Sequence, residues 1–142
     1  IDLITCFGTL HHIANVSYVL TEMARCLRPG GTVLIREPVV SMGDWRKQRP
    51  GLTDRERGIP ATLLCDAIEG AGLEILRAVP CIFAPIMRLE RVTKRSLISR
   101  RIVVILDSWI SRLANWNRHY RSGNILQKIA PTNYAIVARK PG

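Results

Sequence analysis

An α/β fold, with helices layered on a mostly parallel sheet, is what this chain of 142 residues predicts. Three observations carry that expectation. Short β-prone apolar runs alternate with segments of helical periodicity along residues 1–80. Pro29-Gly30-Gly31 and Gly72 interrupt the alternation where helices must end. A last strand pattern, residues 134–139, returns after a long helical stretch. The apolar fraction of 47% is that of a globular protein and excludes a disordered chain.

Ile1 to Phe7 is mostly apolar, as a buried parallel strand is. A chain that opens on Ile1 inside a core strand predicts that further sequence precedes it. Asn15 predicts a cap for a helix from about Val16 to Leu27, on which Val16, Val19, Leu20, Met23 and Leu27 share one face. Thr32 to Ile35 reads as a second buried strand, ending at Arg36-Glu37-Pro38. Residues 38–59 form a long polar connection rich in Gly, Pro and Arg, a length that is often functional in a compact domain. Pro60 opens a helix through Ala71. Leu73 to Val79 and Tyr134 to Arg139 complete the strands. Between them, two helices are predicted, roughly 84–95 and 97–118. The second bears a stripe of Ile98, Ile102, Ile105, Leu106, Trp109, Leu113 and Trp116, expected to pack on the sheet or on the preceding helix.

The formal net charge of +10 is unevenly placed. Residues 1–80 are balanced, whereas residues 81–128 hold ten Lys and Arg against Glu90 and Asp107. Such a field suits an anionic lipid, nucleic acid or acidic substrate, unless acidic sequence elsewhere offsets it. Cys6, Cys26, Cys65 and Cys81 are isolated and show no zinc-ligand spacing, so no metal site is expected. Free thiols in apolar surroundings predict a reducing, cytoplasmic setting. No apolar run approaches the roughly 20 residues that span a bilayer.

The segment Asp2-Leu3-Ile4-Thr5-Cys6-Phe7-Gly8-Thr9-Leu10-His11-His12-Ile13 resembles the fourth strand and following loop of class I S-adenosylmethionine-dependent methyltransferases. Glu22, Arg25, Leu27, Arg28 and Pro29-Gly30-Gly31 resemble the helix and turn that lead into that family's fifth strand. The two motifs at this spacing form a joint signal over residues 1–37. The resemblance extends to 60–80 and 132–140 by topology. It implies a partial Rossmann-like class I methyltransferase fold comprising strands 4, 5, 6 and 7 of a sheet ordered 3-2-1-4-5-7-6. Residues 1–142 would form one incomplete domain, with 81–131 a helical insertion or lid before the last strand.

The resemblance also implies S-adenosyl-L-methionine as cofactor, with Cys6, Phe7, Gly8 and Leu10 bordering its methionine end. The family's glycine-rich turn after strand 1 and acidic end of strand 2 have no counterpart here, so the chain alone is expected to be inactive. His11 and His12 would lie at the pocket mouth, where a histidine serves as general base if the acceptor holds its proton. The competing reading is that each packs or caps the next helix. Glu22 and Arg25, three apart, form a structural pair. Glu37, unless it is a solvated loop carboxylate, and the loop residues Asp44, Trp45, Arg46 and Arg49 are expected to meet the acceptor, Trp45 by stacking and the arginines by pairing with anionic groups. Asp44 and Glu56 are alternatively acid/base groups or partners of neighbouring arginines.

The expected partners are a small-molecule or glycan/lipid-linked acceptor, anionic in character, and the domain's own N-terminal half. Nucleic acid is disfavoured, since charge alone supports it. The alternative function is a degenerate methyltransferase scaffold serving as a membrane-peripheral or partner-binding module through the basic amphipathic helix.

Overall fold

The computed structural model describes residues 1–142 except positions 45, 55, 95 and 98. Four strands, β1 (Leu3–Phe7), β2 (Thr32–Pro38), β3 (Glu74–Phe83) and β4 (Pro131–Arg139), make a sheet of order β1-β2-β4-β3. Helices α1 (Val16–Cys26) and α2 (Ala61–Gly70) connect the first three strands. Helices α3 (Ala84–Thr93) and α4 (Arg101–Leu113) lie between β3 and β4. This order is the 4-5-7-6 portion of the sheet implied above. Only β1 and β2 pair in parallel, because β4 inserts antiparallel to both β2 and β3. β1, β2 and β3 therefore run in one direction and β4 alone is reversed, as a mostly parallel sheet with a terminal antiparallel pair requires.

Local chemistry sets the element boundaries. Asn15 Oδ1 accepts the Tyr18 N–H at 3.1 Å and caps α1. Leu20, Leu27, Val33, Ile35, Leu64, Ile68 and Ile136 form the wholly buried centre, which joins the inner faces of α1 and α2 to the sheet. Truncating any of these leucines or isoleucines to alanine is worth about 2–5 kcal/mol.

β3 continues four residues beyond the predicted Val79, through Pro80. It is an edge strand, and proline's missing N–H costs no ladder bond on the side facing solvent. Asp107 ends the strand by accepting the N–H groups of Ile82 (2.9 Å) and Phe83 (2.6 Å). Ile82 has φ +60°, a left-handed backbone rare for a β-branched residue and costing about 1–3 kcal/mol.

The helical stretch is shorter than predicted. α3 stops where Lys94 takes φ +53°, and α4 gives way at Ala114 to a short 3-10 turn, Asn115–Asn117. The apolar stripe of α4 does not pack on the sheet. Its inner face is Val103, Asp107 and the buried Ser111, whereas Ile102, Leu106, Trp109 and Leu113 point outward. Ile98 lies outside the described residues.

The connection from Val39 to Ile59 is internally tied. The Arg49 guanidinium donates to the carbonyls of Glu56 (2.6 Å) and Thr53 (2.8 Å), and Tyr120 Oη donates to the Gly58 carbonyl (2.9 Å). At Gly58 a Cβ would stand 1.8 Å from the Val40 carbonyl oxygen, so only glycine permits this approach. The four cysteines are free, and among the described residues no helix is long and apolar enough to cross a membrane.

Candidate functional site

Parallel pairing brings the carboxyl ends of β1 and β2 to one edge, where ligands bind in open α/β sheets. Gly8 turns the chain there with φ +64°, a conformation glycine adopts without strain. Its N–H donates to the Arg36 carbonyl at 2.8 Å, holding the loop against β2.

Glu37 organises this loop from inside. It is wholly buried: Oε1 accepts the N–H groups of Thr9 (2.8 Å) and Leu10 (2.9 Å), and Oε2 that of His11 (3.3 Å). The same Oε2 lies 2.7 Å from His11 Nδ1. A carboxylate accepts and does not donate, so Nδ1 carries a hydrogen and donates it to Glu37. Glu37, expected at the acceptor, thus has its oxygens committed to the loop and holds His11 in place. The register offered the signal. Val33, Ile35 and Glu37 alternate on the buried face of β2, so the glutamate occupies a core position.

His11 is almost wholly buried, and its Nε2 is 3.6 Å from Glu56 Oε1. His12 is half-exposed, with Nδ1 3.4 Å from Thr53 Oγ1 and 3.9 Å from Glu56 Oε2. The Thr53 N–H, at 2.9 Å from Oε2, holds the Glu56 carboxyl below its ordinary range, and both histidines add to the effect. His11, His12 and Glu56 offer ligand atoms within 4.8 Å of one another, the donor types of a divalent-cation site. Glu56 Oε2 is already committed to Thr53.

Of the residues expected at the donor, Phe7 is half-exposed and Gly8 sits at the open turn. Cys6 and Leu10 point into the core, where burial and then the charge of Glu37 push the Cys6 thiol up. The Arg36 guanidinium lies over the Phe7 ring, 5.4 Å from its centre.

A cleft of about 440 Å³ opens beside Gly8 and His11, with Arg36, Met87, Arg88 and Arg91 on its walls. A second cleft of about 420 Å³ shares Arg88 and continues to Arg121 and Lys128. Asp44 and Arg46 border a third opening with Arg121 and pair with each other, Nε to Oδ1 at 2.9 Å. That pairing holds the Asp44 carboxyl below its ordinary range. Arg49 is spent on loop carbonyls, and Trp45 lies outside the described residues. The sequence reading did not single out Arg88 and Arg91, which the β3–α3 turn brings to the site. Glu22 and Arg25 do pair, at 2.9 Å on the exposed side of α1.

A family model described as a methyltransferase domain matches residues 1–78, more than half of the chain. The chain belongs to this family and is a class I methyltransferase domain. No curated protein matches it. Among solved structures, it is similar to the [4+2]-cyclase SpnF, at 20% identity and a TM-score of 0.55, over 99% of this chain and 49% of that one. It also resembles an S-adenosylmethionine-dependent methyltransferase from Mesorhizobium loti, at 15% identity and a TM-score of 0.54, covering 98% and 62% of the two chains. A third similar structure is phosphoethanolamine N-methyltransferase 2 of Haemonchus contortus, at 16% identity and a TM-score of 0.58, covering 99% and 33%. The chain thus spans about half the length of the cyclase and about three fifths of the Mesorhizobium protein.

Proposed function

We propose that these residues form the acceptor side and one wall of the donor site of an S-adenosylmethionine-dependent methyltransferase. Its acceptor would be a small anionic molecule, free or linked to a glycan or lipid. The observation that carries the reading is the Glu37–His11 pair at the sheet's carboxyl edge, with His11 opening onto a cleft walled by Arg36, Arg88 and Arg91.

The residues fit one face of a donor site. The open backbone turn at Gly8 and the exposed Phe7 ring border it, with Cys6 and Leu10 contributing main chain. The glycine-rich turn and acidic ribose partner would come from strands joining the free edge of β1. Leu3 and Phe7 on that strand are half-exposed. S-adenosylmethionine, when bound, supplies an electrophilic methyl group on a sulfonium. This chain's own task is to align and desolvate the acceptor and take its proton. Glu37 holds the His11 ring so that Nε2 is available as general base to an acceptor hydroxyl. His12, more exposed, borders the mouth. The arginines orient an anionic group, and Arg46 and Asp44 extend the acceptor path. Residues 81–131, which contain α3 and α4, serve as a helical lid, and the four free thiols support a cytoplasmic setting.

The test is transfer of a labelled methyl group by the full reading frame that contains this chain, against matched phosphorylated and neutral hydroxyl acceptors. Turnover of the phosphorylated member, lost in Arg88→Ala with Arg91→Ala, supports the reading. Turnover of the neutral member as fast as the phosphorylated one, or phosphorylated turnover unchanged in the double variant, rejects the anionic assignment.

A further inference from the structure

We propose that the outer face of α4 docks on an anionic membrane surface. This goes beyond the acceptor reading, because it concerns a separate face of the molecule and does not require transfer. Ile102, Ile105, Leu106, Trp109 and Leu113 recur at the spacing of one helical face, and they are exposed at 71%, 47%, 53%, 62% and 74%. Trp116 follows at 84%. Monomeric soluble proteins rarely show so continuous an apolar stripe without a partner.

The helix leaves this face outward for a physical reason. Asp107 accepts the two N–H groups at the end of β3, and Ser111 is wholly buried one turn further on. The polar contact therefore fixes which side meets the sheet. Strands added beside β1 would not cover the stripe, because α4 packs on β3, at the opposite edge of the order β1-β2-β4-β3.

Charge selects the occupant. Arg100, Arg101 and Arg112 are exposed around the stripe. The two acids of residues 81–128 are turned to backbone amides: Asp107 to Ile82 and Phe83, and Glu90 to Leu97 at 2.9 Å. A second copy meeting this face through two-fold symmetry would set arginine against arginine. Nucleic acid would engage the arginines and leave the apolar stripe in water. A bilayer of anionic lipid takes both: apolar side chains enter the acyl boundary, the tryptophans sit at the headgroups, and the arginines meet phosphates. With 13 residues α4 is about 20 Å long, too short to span and suited to lie in the plane of the interface.

The experiment is co-sedimentation of the full reading frame that contains this chain with vesicles of phosphatidylcholine alone or with about one third phosphatidylglycerol, alongside tryptophan emission and quenching by brominated acyl chains. The protein is expected to sediment with anionic vesicles only, with emission shifted to the blue and quenched. Trp109→Ala with Leu113→Ala, and separately Arg101→Glu with Arg112→Glu, should each lower partitioning at least about tenfold while circular dichroism is unchanged. No sedimentation with anionic vesicles would overturn the proposal. So would partitioning that neither double variant alters, or light scattering that shows a dimer disrupted by Trp109→Ala.

Discussion

At Glu37, three backbone N–H groups and an imidazole converge on two carboxylate oxygens that no water reaches. Removing the side chain strands these donors in the core. Glu37→Ala should therefore cost about 3–5 kcal/mol in denaturant unfolding; a loss below about 1 kcal/mol would mean that the loop is held by other means. Glu56 gives a pH signature. Its folded carboxyl titrates below the ordinary value, so its contribution is present above about pH 4.5 and fades as pH falls through the lowered folded value. Glu56→Gln should flatten the stability profile in that acid window. The thiols separate by environment. Burial first, then the charge of Asp107, pushes Cys81 up to about 11. Burial likewise raises Cys6 and Cys65. At pH 8, mapped alkylation should label the exposed Cys26 first, with Cys81 gaining reactivity only as pH approaches 11.

Asp107 ties α4 to the end of β3 and stabilises the left-handed Ile82 from which α3 departs. Asp107→Ala leaves two amides without a charged acceptor and should lower stability by about 2–3 kcal/mol, with early hydrogen exchange in α4 and at 82–83. Gly58→Ala forces a methyl against the Val40 carbonyl and should cost about 3 kcal/mol or more. Both positions show where element-level reading of sequence stops. Asn15, Pro29-Gly30-Gly31 and the apolar faces of α1 and α2 announce their elements because capping and burial there are local. The α4 stripe has the same periodicity as a core face. Yet Asp107, bonded to amides 24 and 25 residues away, decides its orientation. Likewise, nothing near Glu37 in sequence reveals that the loop bonded to it begins 28 residues earlier, although its alternation with Val33 and Ile35 marked a buried register.

Over the whole molecule, the sheet divides the work. β1 and β2 present the His11 turn at their carboxyl edge, β4 locks β2 to β3, and β3 carries the basic helical stretch to the same mouth. The motif pair over residues 1–37 identified the scaffold because a strand, loop, helix and glycine turn at fixed spacing must fold together. The arginines at the mouth were not legible there, since the turn at Ile82 sets their place. The most direct test of the account compares donor binding and methyl transfer in the full reading frame containing this chain with the same protein bearing His11→Asn. The account predicts that both bind S-adenosylmethionine alike and that the variant transfers the methyl group about 100-fold or more slowly to a hydroxyl acceptor. Transfer at the parent rate, or a full-length protein that binds no S-adenosylmethionine, would contradict it.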